Sequence, residues 1–361
     1  MTDSVDAVAA APEPPLQSFA SDNVAGAHPA VIEALSAANV GSVRPYGDDP
    51  WTVRAVDGLR ELFSPDAEVL FTYGGTGANV ALLQSVLLPH EAAICPASGH
   101  INTDECGAVE RIVGSKLIDV PTVDGKLRPS DIAHLLHPEH GEHNVKPAVI
   151  AISQVTELGT VYSVDEIAAL AELAHANGLL LFLDGARLAN AVASLGCTVR
   201  EMTVDAGVDR PPVGGTTNGL LYGEAAIYLR PELAARARFA RKQTAQLASK
   251  MRFISAQFEA LLTNDLWLTG ARNANAMAAR LAANVADIDA VQLLQTPQAN
   301  SLFAVLPPEL IRELQAWSFF WDWNSSEHSV RWMANFGTTE EDVDRFTAGV
   351  RHFAAEHAAQ A

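Results

Sequence analysis

The sequence predicts an α/β protein, in which a large domain with a mostly parallel sheet precedes a smaller α+β C-terminal domain. Three observations predict this fold class. The chain has 361 residues, which is enough for two domains. Between Glu68 and Leu229, short apolar runs alternate with longer amphipathic segments, as in a parallel sheet covered by helices on both faces. From about Trp267 onward this alternation stops.

The alternating region predicts six strands, at Glu68–Tyr73, Ala92–Cys95, Lys116–Val120, Pro147–Ile152, Leu179–Leu183 and Ala225–Leu229. It predicts five helices between them, at Thr76–Leu88, Thr103–Val113, Pro129–Leu136, Val164–Asn177 and Arg187–Leu195. Ligands of parallel sheets bind at the carboxyl ends of the strands. Residues that directly follow a strand are therefore the candidates for chemistry.

The rest of the chain predicts a bridge and a different kind of domain. Pro231–Leu262 reads as one long helical stretch. It is followed by a helix at Ala271–Ala286, by short strands near Ser301–Leu306 and Ser329–Met333, and by a last helix at Thr339–Ala355 that opens with a Thr-x-x-Asp capping pattern. The predicted organisation is a disordered lead-in over residues 1–17, a large domain with its N-terminal arm and bridging helices over 18–262, and a small domain over 263–361.

Composition and charge limit the classes of partner. Hydrophobic residues make up 48% of the chain, but no apolar run reaches the length of a membrane span. The first fifteen residues carry acids and prolines instead of the basic and apolar segments of a signal peptide, so we expect a cytoplasmic protein. The net charge of −19 repels nucleic acid and anionic membranes, and neither is an expected partner.

The cysteine and histidine patterns do not indicate a metal site. The three cysteines lack CxxC spacing: Cys95, Cys106 and Cys197. Four histidines surround a loop interrupted by proline and glycine: His134, His137, His140 and His143. Such a cluster can bind metal, but we interpret it as a solvated surface segment and predict no metal.

A glycine-rich turn follows the first predicted strand. Its sequence, GGTGAN at Gly74–Asn79, joins the end of that strand to the start of a helix. Glycines let backbone amides approach an anion closely, and a helix N-terminus favours negative charge. The spacing fits neither the dinucleotide fingerprint nor the Walker loop. By itself it indicates either a phosphate cradle or a tight turn.

A second candidate is Asp184, at the carboxyl end of an apolar strand, with Arg187 three residues later. A carboxylate there is costly unless a cation meets it. The pair could be an internal ion pair or a helix cap. Alternatively, Asp184 could pair with the pyridinium nitrogen of pyridoxal 5′-phosphate (PLP) and so strengthen that cofactor as an electron sink.

Three further residues stand at informative places. His100 follows a predicted strand and could stack on a flat cofactor ring or hydrogen-bond within its loop. Ser21 lies in a polar segment near the N-terminus. Arg331 lies on a strand of the small domain, where an arginine can clamp a carboxylate with two hydrogen bonds or form a surface salt bridge.

Taken together, these motifs resemble the β-eliminating lyase and threonine aldolase family of PLP fold type I enzymes, from about Ser18 to His352. The segments that carry the resemblance are SDNVAGAHP at Ser21–Pro29, YGDDP at Tyr46–Pro50, GGTGAN at Gly74–Asn79, HINTDECGA at His100–Ala108, TELGTVY at Thr156–Tyr162, LDGARLANA at Leu183–Ala191, RKQTAQLASKMRF at Arg241–Phe253 and VRWM at Val330–Met333.

The resemblance implies a role for each candidate. Gly75, Thr76 and Gly77 would hold the PLP phosphate. His100 would stack on the pyridine ring, and Asp184 would pair with its nitrogen. Arg187 would lie beside the cofactor and the substrate carboxylate, together with Ser21 and Arg331. Family members are homodimers or homotetramers with active sites completed at a subunit interface, so Tyr46 or Lys242 could serve the neighbouring subunit.

One position departs from the family pattern. The family carries Gly-Gly-Thr-Lys-Asn-Gly, whose lysine forms the Schiff base with PLP, whereas this chain reads GGTTNG and has Thr217 in that place. A threonine offers neither an amine nor a base. The two adjacent prolines just before this motif, Pro211 and Pro212, cannot donate to a sheet, which predicts a strand that is broken or moved to an edge. Rescue of the missing amine by Lys242 is a conceivable alternative.

The sequence therefore supports two functions. The first is a threonine-aldolase-like PLP lyase that cleaves a β-hydroxy amino acid to glycine and an aldehyde, with activity lowered by Thr217 and with PLP bound non-covalently. The alternative is a non-catalytic or impaired relative that binds PLP or an amino acid without turnover. The expected partners are a small amino-acid substrate and further copies of the chain.

Overall fold

The computed structural model describes residues 11–137 and 141–360. Residues 1–10 of the predicted lead-in, and His140, lie outside the described residues. The chain divides into two compact units. One comprises Gly26–Arg272, and the other comprises the described residues up to Ala25 together with those from Asn273 onward. Among the described residues, none of the helices combines the length and the apolar character needed to cross a membrane.

The unit Gly26–Arg272 is built on seven strands: β1 (Glu68–Thr72), β2 (Glu91–Pro96), β3 (Lys116–Val120), β4 (Lys146–Ser153), β5 (Leu180–Asp184), β6 (Pro212–Gly214) and β7 (Glu224–Tyr228). Strands β3, β2, β4 and β5 form a parallel sheet in that order. Strands β1, β7 and β6 form an antiparallel sheet. The six strands predicted from the sequence are confirmed, each within one residue at either end.

Ten α-helices lie wholly within this unit: α1 (Pro29–Ala38), α2 (Pro50–Leu62), α3 (Gly75–Gln84), α4 (His100–Thr103), α5 (Pro129–Ile132), α6 (Val164–Ala176), α7 (Leu188–Leu195), α8 (Val199–Met202), α9 (Ala237–Gln243) and α10 (Arg252–Leu262), counted over its described residues. Several begin where the sequence supplies a cap. Ser163 and Glu166 form a capping box at α6, and Asp49 accepts from the Thr52 amide at α2.

Two of the predicted helices are wrong as continuous elements. The stretch Thr103–Val113 is broken because Cys106 and Gly107 have φ angles of 52° and 67°, and a short π-helix follows at Val109–Val113. The stretch Pro231–Leu262 contains α9 and α10 separated by a turn, in which Ala245 has a φ of 61°. A left-handed residue cannot continue the helical hydrogen-bond pattern, so each stretch divides there.

The prediction of a broken or edge strand before Gly214 is confirmed in part, because β6 has only three residues and is the last strand of its antiparallel sheet. Strand β6 pairs with β7, and on its other side isolated parallel bridges join Phe182 to Arg210 and Gly185 to Val213. The missing amides are tolerated because the neighbouring strands supply the donors. The Ile227 amide donates to Pro211 O and the Leu183 amide to Arg210 O. The bridges link both sheets into one strand order, β3-β2-β4-β5-β6-β7-β1.

Arg210 lies in this segment and is buried, with only 1% of its surface exposed. Its guanidinium donates to Leu82 O (3.0 Å) and Ser85 Oγ (2.7 Å) at the C-terminus of α3, and to Leu233 O (3.2 Å). A cation is favoured at a helix C-terminus, where backbone carbonyls lack partners. Burial lowers the pKa of Arg210 to about 10. Arg210 therefore fixes the far end of the helix whose first turn carries the glycine-rich motif.

The second unit contains an antiparallel sheet in the order β10-β11-β9-β8, formed by β8 (Gln292–Leu293), β9 (Ser301–Val305), β10 (Trp321–Asn324) and β11 (Ser329–Met333). Its other elements are the helices α12 (Pro308–Trp317) and α13 (Glu340–Gln360), and most of α11 (Leu266–Val285). The predicted strands at Ser301 and Ser329 and the final helix are confirmed. Strands β8 and β10 and helix α12 were not predicted, because their runs are short or polar.

The N-terminal residues pack on this second unit. The amides of Leu16 and Gln17 both donate to Asp342 Oδ1, at 2.9 and 3.0 Å. The other carboxylate oxygen of Asp342 accepts from the Thr339 amide and hydroxyl, which confirms the predicted Thr-x-x-Asp cap at the start of α13. Phe19 belongs to the same apolar core as Trp332 and Phe346. The sequence predicted residues 18–262 as one domain, whereas the contacts group the chain before Gly26 with its C-terminal part.

Candidate active site

The predicted site residues of the unit Gly26–Arg272 follow strands at one edge of the sheet. Gly75–Gly77 begin α3 after β1, and His100 begins α4 after β2. Asp184 ends β5, and Arg187 precedes α7. Thr217 lies in the 3-10 turn Thr216–Asn218 after β6. Carboxyl ends of parallel strands share an edge, so the topology brings these residues to the same side of the sheet.

A continuous hydrogen-bond network joins two of the predicted residues through two that the sequence did not single out. His100 Nδ1 lies 2.9 Å from Glu105 Oε1. Asn79 Nδ2 donates to that same oxygen (2.7 Å) and to Asp184 Oδ2 (2.9 Å). Asn79, Glu105 and Asp184 are all buried. Asn79 thus bridges two carboxylates, one of which also contacts the histidine.

The network changes the charge of His100. The hydrogen bond to Glu105 raises the pKa of His100 to about 9, against the opposing effect of burial, and the charges of Asp184 and Glu157 raise it further. The ring is 44% exposed, whereas the Glu105 side chain has no exposed surface. At neutral pH this histidine is therefore an imidazolium with one ring edge fixed and the rest of the ring accessible.

Glu157 contacts the same histidine from the loop after β4. Its Oε1 accepts from the His100 backbone amide (2.9 Å) and from Ser153 Oγ (2.9 Å). Its other oxygen is buried and has no hydrogen-bond partner among the described residues. Burial raises the pKa of Glu157 to about 7, and the charge of Asp184 adds to this shift. Near neutral pH this carboxyl group can therefore either accept or donate a proton.

Thr217 lies against the turn that follows Asp184. Its Oγ1 donates to Ala186 O at 2.6 Å, while the Ala186 amide donates to Asp184 Oδ1 at 3.0 Å. Two glycines allow this approach. A Cβ on Gly214 would collide with Ala186 O, and one on Gly185 would collide with Pro212 O. The loop of Thr217 and the turn of Asp184 are thus held in backbone contact.

A buried glutamate holds the Thr217 loop from β7. Glu224 Oε2 accepts from the Gly215 amide (2.8 Å), and Oε1 faces the Thr216 amide at 3.4 Å. Burial raises the pKa of Glu224 to about 7, and the charge of Asp184 contributes. The loop therefore rests on a carboxyl group that titrates near neutral pH.

At the glycine-rich turn, Gly74 caps α3 without a side chain, and a Cβ on Gly74 or Gly75 would meet open space. Gly77 differs, because a Cβ there would collide with the side-chain amide of Gln246. Gln246 Oε1 also accepts from the Tyr73 amide (3.0 Å). The first turn of α3 thus presents backbone amides beside a side-chain amide, an arrangement suited to an anion.

Ser21 and Arg331 belong to the other unit. Ser21 is buried, and its hydroxyl accepts from the Asn23 amide at 3.2 Å, which caps the 3-10 turn Asp22–Val24. Arg331 lies on β11 with its guanidinium 5.3 Å from the Trp323 ring centre. Their predicted role in binding a substrate carboxylate stays a prediction.

Lys242 and the histidine cluster were the sequence-based candidates for a substitute amine and for a metal site. Lys242 Nζ lies 5.4 Å from the centre of the Tyr46 ring, a cation–π contact on the large unit. Of the four clustered histidines, the three that the structure describes are exposed: His134, His137 and His143.

Sequence reasoning missed Asn79, Glu105, Glu157, Glu224 and Gln246. The first three lie inside segments already recognised as motifs, and Gln246 lies inside the segment Arg241–Phe253. A charged residue in an otherwise buried motif was the available signal for Glu105 and Glu157. Glu224 had a weaker signal, as an acid at the start of an apolar strand.

Comparison with known proteins shows the family to which the chain is similar. The family described as Beta-eliminating lyase matches residues 18–307. The low specificity L-threonine aldolase of Pseudomonas sp. (strain NCIMB 10558) is 41% identical over 338 residues, which cover 93% of this chain and 97% of the relative.

Two solved structures extend the comparison. The Leishmania major threonine aldolase aligns with a TM-score of 0.87 and 33% identity, over 93% of this chain and 99% of that one. The N-succinyldiaminopimelate aminotransferase of Mycobacterium tuberculosis aligns with a TM-score of 0.67 and 21% identity, over 95% and 91% of the two chains, and shares the fold. The predicted fold class, PLP fold type I with a mostly parallel large-domain sheet and an antiparallel sheet in the C-terminal unit, is confirmed.

Proposed function

The chain belongs to the β-eliminating lyase family, and on that basis we propose that it is a threonine-aldolase-like carbon–carbon lyase, which uses PLP to cleave a β-hydroxy amino acid to glycine and an aldehyde. The observation that carries the proposal is the cluster of His100, Asn79, Glu105 and Asp184 at the carboxyl ends of the strands.

The residues present fit PLP. The buried Asp184 carboxylate can accept a hydrogen bond from a protonated ring nitrogen, and the exposed part of the His100 ring can pack on the ring face. The backbone amides of Gly75, Thr76 and Gly77 open α3 without a bulky side chain, as a phosphate requires. When bound, PLP supplies an electron sink for the bond that breaks.

The chain's own groups would do the remaining work. Glu157, with a pKa near neutral, is suited to move a proton beside His100. Arg187, which directly precedes α7 in the turn after Asp184, would meet a ligand carboxylate, as the family resemblance implies. Thr217 binds the carbonyl oxygen of Ala186 and offers no amine. We infer that PLP binds without a covalent bond and that turnover is low.

The alternative is a relative that binds PLP or an amino acid without turnover. It is supported by Thr217, and by the absence of a lysine in the described loop Thr216–Asn218. Both functions share the PLP site and differ in whether glycine and an aldehyde are released.

Borohydride reduction tests the mode of PLP binding. The purified protein should bind PLP, lose it on dialysis, and carry no pyridoxyl group after reduction with borohydride, as measured by intact mass. A reduced pyridoxyl group on Lys242 would contradict non-covalent binding and support full catalysis. No change in the PLP absorption spectrum on mixing would contradict the proposed cofactor.

A further inference from the structure

Beyond the proposed PLP site, we propose that Glu105 and Asn79 are positioning residues that act through His100 and Asp184. Glu105 holds His100 as an imidazolium with its Nδ1 edge fixed, and Asn79 ties this ion pair to Asp184. The identity of the ligand in this inference rests on the proposed function. The hydrogen bonds that support it are all within the chain.

The first step is the sharing of one oxygen. Glu105 Oε1 lies 2.9 Å from His100 Nδ1 and accepts from Asn79 Nδ2 at 2.7 Å. Because Asn79 Nδ2 also donates to Asp184 Oδ2 at 2.9 Å, a rotation of any one side chain breaks a buried hydrogen bond of another. Such networks orient ligand-binding groups and are costly to leave half satisfied.

The second step is electrostatic. A ring nitrogen of His100 and one carboxylate oxygen each of Glu105 and Asp184 all lie within 4.8 Å of one another. The two carboxylates therefore face each other across a short distance. The Asn79 amide and a positive His100 both reduce that repulsion. Three carboxyl groups raise the pKa of His100: Glu105 after α4, Glu157 after β4 and Asp184 at the end of β5.

The third step concerns the ligand. With Nδ1 engaged by Glu105 and 44% of the side chain exposed, His100 keeps its ring face and its Nε2–H for a ligand. A neutral histidine could present an acceptor there, but an imidazolium cannot. The pair therefore favours ligands that bring negative charge or an acceptor beside the histidine, and a protonated nitrogen to Asp184.

A histidine titration tests the Glu105 part on the ligand-free protein. The imidazole NMR signals are followed with pH, and His100→Asn identifies the His100 resonance. We expect its midpoint near pH 9, where the pKa lies, and a fall toward about 6.5 in Glu105→Gln. Glutamine keeps an acceptor but removes the charge, so a role limited to packing would leave the midpoint unchanged.

The control is Asp104→Asn, which removes one charge at the adjacent exposed position. It should leave the His100 midpoint close to that of the parent protein. A wild-type midpoint near 6.5, or equal shifts in Asp104→Asn and Glu105→Gln, would overturn the assignment. Circular dichroism of each variant verifies that it is folded.

Ligand binding tests the Asn79 part. Pyridoxine 5′-phosphate lacks the aldehyde, so its fluorescence measures binding to the site without chemistry. Asn79→Ala should weaken this binding about tenfold, the effect of one lost hydrogen bond to a charged group. The control is Asn177→Ala, which removes one asparagine–carbonyl bond at the end of α6, where the chain enters β5.

Equal affinities in both alanine variants would overturn the role of Asn79. If pyridoxine 5′-phosphate fails to bind the parent protein, the proposed function fails instead, while the histidine titration still decides the role of Glu105.

Discussion

Asp184 is linked to three glutamates, either by hydrogen bonds or by its charge. Glu105 is joined to it through Asn79, while Glu157 and Glu224 have pKa values of about 7 that its charge helps to raise. Burial is the largest cause of both shifts, so Glu157 and Glu224 lose their protons at a higher pH than an exposed glutamate does. The site thus gains negative charge as the pH rises through neutrality, and a cationic ring nitrogen would lower the resulting electrostatic energy.

Thr217→Lys tests whether a single side chain limits catalysis. The lysine would start from the loop held against the Asp184 turn, so we expect it to form a borohydride-reducible bond with PLP and to raise the rate of threonine cleavage. General acid–base help alone is worth roughly 10²- to 10⁴-fold. Thr217→Met is the control, with similar length and no amine. If the lysine variant binds PLP covalently but gains no activity, the missing amine at position 217 is not what limits the rate of cleavage.

The raised pKa of Glu224 predicts that the free energy of unfolding depends on pH. Its pKa is raised from 4.5 to about 7, so the folded protein binds this proton more tightly than the unfolded chain. Its contribution is therefore most favourable below about pH 4.5 and is lost as the pH rises through 7. Relative to Glu224→Gln, the free energy of unfolding should fall by up to about 1.4 kcal/mol per pH unit in that window.

Urea unfolding at pH 5, 6, 7 and 8 provides the measurement. Glu33→Gln, at an exposed position on α1, should parallel the parent protein. Parallel curves for Glu224→Gln as well would rule out the assigned shift.

At the level of elements, the approach of β6 to the turn after β5 positions the Thr217 loop. Gly185 and Gly214 allow the two backbones to touch, and the Gly214 amide donates to Gly185 O at 3.1 Å. Backbone atoms cannot move aside as a side-chain tip can, so this contact tolerates little change.

Gly214→Ala tests this contact. A Cβ there collides with Ala186 O, so we expect a loss of roughly 3 kcal/mol in the free energy of unfolding. Gly26→Ala is the matched control, because a Cβ at Gly26 meets nothing within 4 Å. Similar urea midpoints for the two variants would show that the β5–β6 approach is adjustable.

At the scale of the whole molecule, we predict a homodimer or homotetramer, with or without PLP. Apolar side chains are half exposed on and beside the first two helices: Ile32 (49%), Val40 (56%), Tyr46 (50%) and Val53 (55%). Exposed apolar groups that recur in one region indicate an interface. Light scattering that gives the 38.4 kDa mass of a single chain would contradict the prediction.

A pair of substitutions locates the interface. Val53→Glu should lower the mass of the assembly, because a charge would be buried without a partner. Val123→Glu, at a residue that is 98% exposed in a separate loop, should leave the mass unchanged. An equal response of both variants would place the interface elsewhere.

The sequence by itself determined the six predicted strands, the positions of Gly75 and His100 after strands and that of Asp184 at the end of one, because apolar periodicity and turn residues are local properties. Only the tertiary structure decided what these residues contact. The link from Asn79 to Asp184 spans 105 positions, and no local pattern encodes such a contact. The same holds for the break at Cys106, where Glu105 turns inward to meet His100, and for β6, whose prolines are tolerated because its neighbours donate the hydrogen bonds.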